Sequence, residues 1–220
     1  MTKANQSTTQ KYILGFLALA GWFALVSQFY ININSKVAAL PELITRYFSY
    51  FTILTNLIVA IYCTVLLSNP RSKPGTFFAR YRTTTAITVY ILIVGIIYNI
   101  ILRFIWNPQG LQLLVDELLH SVIPVLFFIY WICFVPKQSL KGKQLLPWLI
   151  YPLLYIIVVL IRGSFSGFYP YPFINVTNLG LQQVLINAAG ITAIFIAVSL
   201  LFITMGNLMS KKNTSVPGKA

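Results

Sequence analysis

Long apolar runs, broken by short segments rich in polar and turn-forming residues, dominate the chain. A helix rising 1.5 Å per residue needs about 20 apolar residues to cross about 30 Å of hydrocarbon. Six segments reach or approach that length: Tyr12–Tyr30, Phe48–Leu67, Thr84–Leu102, Asp116–Val135, Leu145–Ile161 and Val184–Met205. The stretches between them, such as SNPRSKPG, WNPQG, PKQSLKGK and GSFSGFYPYPF, carry the Pro, Gly, Asn and Ser of turns. The pattern predicts an all-α polytopic membrane protein, a six-transmembrane-helix bundle forming one domain over residues 1–220. Tails at 1–11 and 206–220 are expected outside the membrane, and no internal repeat is visible.

Composition sharpens the class. Of 220 residues, 58% are hydrophobic and 9% charged, against about a quarter charged in a soluble domain. So few charges cannot cover a globular surface, which excludes a soluble enzyme, and the aromatic content excludes disorder. The excess of 16 basic over 3 acidic residues comes with a mean hydropathy of +0.79, so the basic residues read as topology signals rather than as a nucleic-acid surface. Lys3, Lys11, Arg71, Lys73, Arg80, Arg82, Lys137, Lys141, Lys143, Lys211, Lys212 and Lys219 lie on one side of the six-span layout. Only Lys36, Arg46, Arg103 and Arg162 lie on the other. The positive-inside rule then predicts both termini in the cytoplasm. The cysteines, Cys63 and Cys133, form no C-x-x-C and point to neither metal nor redox chemistry.

With that orientation, the outer halves of the spans hold Ser49, Thr52, Thr55, Asn56, Asn99, Asp116, Glu117, His120, Ser121 and Asn187, while the inner halves are poorer in polar residues. Polar groups in hydrocarbon usually face a bundle interior or a water-filled space, so a polar cavity is expected in the outer half. Ser49, Thr52, Thr55 and Asn56 fall at offsets 0, 3, 6 and 7, one stripe of a helix. The apolar stretch of span 4, Ser121–Val135, covers only about 22 Å, so the helix must draw in part of DELLH. That places His120, the only histidine, at or below the interface. Asp116 lies four residues before it on the same face, where a carboxylate can accept the imidazole N–H. Pro124 removes the N–H that would satisfy the His120 carbonyl, which must then find another donor. Thr52 lies four residues into span 2 and His120 four into span 4, each about 6 Å deep, so the two can meet if those spans are neighbours. The ordinary role of such a threonine is to bond back to its own helix.

Several motifs, taken in order, resemble the androgen-induced and androgen-dependent membrane hydrolases. These are the six-span layout, Tyr50-Phe51-Thr52-Ile53 opening span 2, H-S-x-x-P at His120–Pro124, and Tyr169-Pro170-Tyr171-Pro172-Phe173 after span 5. Prokaryotic six-span proteins look similar, and the likeness runs over residues 12–206. It implies an intramembrane threonine hydrolase of fatty-acid esters of hydroxy fatty acids, with a Thr nucleophile and a His partner, in a bacterial plasma membrane. Thr52 matches the family's L-T-F-[IL]-[DN]-L at its threonine, but Asn56-Leu57 comes one residue late, which keeps Thr55 as the fallback. H-S-x-x-P lacks the second threonine of the eukaryotic H-T-T-x-x-P.

The expected site therefore combines Thr52 as nucleophile, His120 as general base and Asp116 as its orienter. Asn56 or another polar group of the cavity is expected to donate to the oxyanion, and Asn56, Ser49, Asn99, Arg103, Glu117, Arg162 and Asn187 to bind substrate. The expected partner is a membrane lipid or fatty-acid ester, with no cofactor, metal or nucleic acid. The competing expectation is a non-catalytic lipid-binding or small-solute transport protein. The apolar inner halves count against transport.

Overall fold

The structure is a computed structural model that describes residues 6–214. Lys3, Lys219 and the tail ends 1–5 and 215–220 lie outside the described residues. Every regular element among the described residues is helical, and no strand forms. Six helical stretches are long and apolar enough to cross a membrane: Thr8–Asn34, Phe51–Ser68, Tyr81–Phe104, Leu111–Phe134, Gly142–Ser166 and Val176–Lys211. The chain divides into two compact units between Val135 and Pro136.

In the first unit, α1 (Thr8–Asn34) starts at Ser7, whose hydroxyl accepts the Gln10 N–H and caps the first turn. It packs closely on α3 (Phe51–Ser68), because Gly21 faces Ala60: a Cβ at position 21 would stand 3.1 Å from that of Ala60. Small residues at such crossings let helix backbones approach in a membrane. Next, α5 (Tyr81–Ile100) packs on α3 and on α7 (Ile123–Phe134), and α7 returns to α1. The four spans thus close a ring whose middle layer is the fully buried Val59, Ile91, Ile123 and Phe127. On the loop side, Ser72 caps the short α4 (Lys73–Phe78).

The first and third spans run a few residues beyond the expected ends, and two further boundaries bear on the site. Residues Leu40–Phe48 form a separate amphipathic helix, α2, so the second span begins at Phe51 rather than Phe48. Leu43 and Tyr47 turn into the core, Tyr47 donates to the Leu25 carbonyl at 2.8 Å, and Leu40, Ile44 and Phe48 stay exposed. Burial pushes the Tyr47 hydroxyl up to about 12, which keeps it a donor. Ser49 terminates α2 and Tyr50 is extended, which separates the two helices. The fourth span begins at Leu111 rather than Asp116, as α6 (Leu111–Glu117), after Gly110 adopts a φ of +58°. A π-turn at Leu118–Val122 joins α6 to α7.

The second unit contains α8 (Leu145–Ser166) and α9 (Val176–Thr214). Gly167, at φ +66°, ends α8 in the left-handed conformation. The ring of Tyr169 then fills the space where a Cβ at Gly163 would stand. Within α9 the backbone breaks at Gly180 (φ +75°, ψ 156°). The helix runs through residues 206–214, which were expected as solvated tail. Asn207 clamps the Leu140 backbone, donating to its carbonyl at 2.9 Å and accepting its N–H at 2.7 Å.

Candidate functional site at His120

The π-turn determines the geometry around His120. The Ile123 N–H bonds to the Leu118 carbonyl, five residues back rather than four, and Pro124 has no N–H to give. The carbonyls of Leu119 and His120 therefore need donors from outside the helix, as Pro124 led one to expect for His120. Two asparagines from neighbouring spans supply them. Asn56 Nδ2 on α3 donates to Leu119 O at 3.2 Å, and Asn99 Nδ2 on α5 donates to His120 O at 3.3 Å. Gly95 makes room for this contact, since a Cβ there would lie 3.0 Å from His120 O and 3.1 Å from Pro124 Cβ. Spans 2 and 4 are accordingly neighbours, as the Thr–His reading required.

The imidazole is 9% exposed and stacks flat on Tyr98, with ring centroids 3.9 Å apart at 11°. The Arg103 guanidinium lies 5.3 Å over that Tyr98 ring. His120 Nδ1 is 2.9 Å from the backbone carbonyl of Asp116. A carbonyl only accepts, so Nδ1 carries the hydrogen and the neutral ring leaves Nε2 as its basic nitrogen.

This corrects the expected role of the Asp116 carboxylate. Its nearer oxygen is 3.9 Å from Nδ1, beyond hydrogen-bond reach. The carboxylate instead accepts Trp106 Nε1 at 2.7 Å and Gln112 Nε2 at 3.0 Å, and Gln112 pairs reciprocally with Gln28 of α1. Asp116 still holds the imidazole, but through its main chain.

The assignment of Asn56 to the oxyanion is corrected too. Its Nδ2 already donates to Thr52 O at 2.9 Å and to Leu119 O, so both amide hydrogens are engaged. The same two bonds place the Thr52 backbone beside the residue that precedes His120. Thr52, Thr55 and Asn56 are all buried on α3. Ser49 lies outside α3, and its hydroxyl donates to Thr45 O at 2.7 Å, so it does not extend their stripe. Because α3 starts at Phe51 and α6 at Leu111, Thr52 is in the first turn of its helix while His120 is deeper, and the equal-depth estimate does not hold.

The residues expected to bind substrate are engaged in other ways. Asn99 spends its amide on Gly95 O and His120 O, and its Oδ1 accepts Arg103 Nε at 2.9 Å. Arg103 pairs with Glu117 at 2.6 Å and reaches Ser121 Oγ at 3.1 Å. These residues lock α5 to the π-turn. Arg162 and Asn187 belong to the second unit. There the Arg162 guanidinium lies over Phe168 at 5.2 Å, and Asn187 donates to Phe173 O at 2.8 Å, tying down the YPYPF segment.

The residues that sequence reasoning missed lie at the opposite end of the four-span ring. Tyr62, Thr84 and Tyr130 cluster there through hydroxyl contacts of 3.3 and 3.4 Å, and Gln10 donates to Tyr130 at 3.3 Å. Beside them Trp131 Nε1 donates to Thr85 Oγ1 at 3.0 Å. The inner halves were expected to be poorer in polar residues, yet that end carries this polar cluster; tyrosine and tryptophan read as apolar by hydropathy although each carries a polar tip. Val59, Ile91, Ile123 and Phe127 lie between this cluster and His120 along their helices, together with the buried Thr88, whose hydroxyl is spent on Thr84 O.

No family model, curated protein or solved structure matches this chain.

Proposed function

We propose that the protein is an intramembrane hydrolase of lipid esters, with Thr52 as nucleophile, Thr55 as the fallback and His120 as general base. The observation that carries this reading is the hydrogen bond from His120 Nδ1 to the Asp116 carbonyl, which leaves Nε2 as the base on a buried ring. The motif resemblance supports it, as does the π-turn, because such turns concentrate at functional sites. In the proposed reaction Thr52 gives its hydroxyl proton to Nε2, and Oγ attacks the ester carbonyl carbon. Collapse expels the alcohol oxygen, which takes the proton back from Nε2. Water then attacks the acyl-threonine with the same base and releases the fatty acid. With Asn56 engaged as a donor to carbonyls, the candidate oxyanion donor is the Ile53 N–H, in the first turn of α3, where Tyr50 provides no side-chain cap.

The basic residues orient the chain with both termini in the cytoplasm, which puts this site in the outer half of a bacterial plasma membrane. A lipid of the outer leaflet enters between helices. Thr52→Ala and His120→Ala are each expected to lower hydrolysis of a lipid ester by at least about 100-fold and to abolish covalent labelling by a hydroxyl-directed probe. Full activity in both variants refutes the proposal. Loss in Thr55→Ala, with Thr52→Ala active, moves the nucleophile to Thr55.

The second reading is a lipid-binding or transport protein without turnover, and the Tyr62–Thr84–Tyr130 cluster favours it by placing polar side chains at both ends of the ring. The intervening layer, with the Thr88 hydroxyl spent on Thr84 O, counts against a continuous polar path. Purified protein that binds lipid yet never cleaves it selects this reading.

A further inference from the structure

Asn56 carries one more observation than the hydrolase scheme uses. Its residue is 0% exposed, and its Nδ2 donates to Thr52 O and Leu119 O. Both partners are carbonyls that only accept, so the amide cannot be turned around without losing both bonds. Its Oδ1 is thereby committed to the opposite direction, and no donor among the described residues reaches it. Native proteins rarely leave a buried acceptor unmade, and where they do a bound molecule or a functional role usually explains it.

The surroundings restrict what that molecule is. Ile53, Ala60, Val115 and Leu119 form one apolar cluster with Ala24, Leu25 and Tyr47 around this stretch of α3 and the π-turn. A cationic donor would need a carboxylate there, but Asp116 is held by Trp106 and Gln112, and Glu117 by Arg103. A single amide oxygen is too few ligands for a metal ion. A small neutral O–H group matches a lone acceptor among apolar neighbours.

We propose that Asn56 Oδ1 is a binding site for a neutral O–H donor, a water molecule or the hydroxyl of a lipid alcohol, on the side of the Asn56 amide turned away from the π-turn. The site stands on its own geometry. It deepens the hydrolase reading, and rests on it, only in supplying an O–H on the side chain that also binds the Thr52 carbonyl. Asn56 is then a positioning residue that accepts from the bound group.

The test is an experimental structure of the full chain in phosphatidylcholine nanodiscs, at a resolution that shows ordered water. A compact density within hydrogen-bond distance of Asn56 Oδ1 is expected. A second sample with added 1-hexadecanol separates the sources: density that stays compact identifies water, and density that continues into a chain identifies the lipid hydroxyl. An Oδ1 with no density beside it, or one bonded to a protein donor, overturns the proposal. Isotope-edited infrared difference spectra of wild type against Asn56→Ala give a second readout. A lowered amide carbonyl frequency that shifts on exchange into D2O is expected for Asn56, and a free-carbonyl frequency insensitive to D2O refutes the site. If Asn56→Ala fails to fold, the wild-type structure still decides. A filled site with fully active Thr52→Ala and His120→Ala variants sinks only the hydrolase reading; an empty site with inactive variants sinks only this one.

Discussion

The main chain of Asp116, not its carboxylate, holds His120 Nδ1 at 2.9 Å, and this difference is measurable. Asp116→Asn leaves that carbonyl in place, so the imidazole should keep its tautomer and activity should fall by less than about tenfold. A carboxylate that orients a catalytic histidine costs on the order of 10⁴-fold in kcat when it is made an amide. A loss of that size in Asp116→Asn, read as kcat on a lipid ester, would return the role to the carboxylate. The amide must also turn one N–H toward Trp106 or Gln112, which removes one acceptor and should cost about 1 kcal/mol of stability. Sequence placed Asp116 and His120 on one face correctly, because their spacing of four is enough for that. It could not say which oxygen does the holding. That choice depends on Trp106, from a stretch that reads only as a turn, and on Gln112, whose helix starts earlier than the apolar run suggests. The need for a new donor to the His120 carbonyl was legible at Pro124, since the missing N–H is written in the residue type.

Among the elements, the π-turn at Leu118–Val122 depends on the closeness of α5, and Gly95 permits it. Gly95→Ala would drive a methyl against His120 O and Pro124, and the backbone there cannot move without straining the Asn99 and Asn56 bonds. The expected cost is about 1–3 kcal/mol, as for overpacking in general. Gly15→Ala on α1 is the control: its Cβ would meet nothing within 4 Å, so it should be neutral or slightly stabilising. Thermal unfolding in detergent compares the two, and equal midpoints would refute the argument. The helix α2 was legible in principle. Pro41 in the first turn, the Glu42–Arg46 pair and the i, i+4 spacing of Leu43 and Tyr47 all mark a short helix. A reading that looked only for lengths able to span a membrane passed over nine residues. The extra residue in the π-turn left no mark in the apolar pattern, because Leu-Leu-His-Ser-Val fits either winding.

For the whole molecule, six helices long and apolar enough to cross a membrane were legible because length and hydropathy alone determine them; the division at Val135–Pro136 was not, since apolar runs carry no record of which helices pack together. The proposed orientation predicts that a reporter fused after Ala220 reads as cytoplasmic, and that cysteine placed at Lys141 resists a membrane-impermeant thiol reagent in intact cells. Cysteine placed at Lys36 should label. Labelling at Lys141 but not at Lys36 would invert the topology and with it the leaflet that supplies substrate. The division has a consequence in time. The residues of the first unit that hold His120, from Gln28 and Asn56 through Tyr98, Asn99, Gln112 and Asp116 to Pro124, precede Pro136. A chain emerges from the ribosome N-terminus first, and its early parts can fold while later ones are still being made. These groups have therefore been synthesised before the first residue of α8.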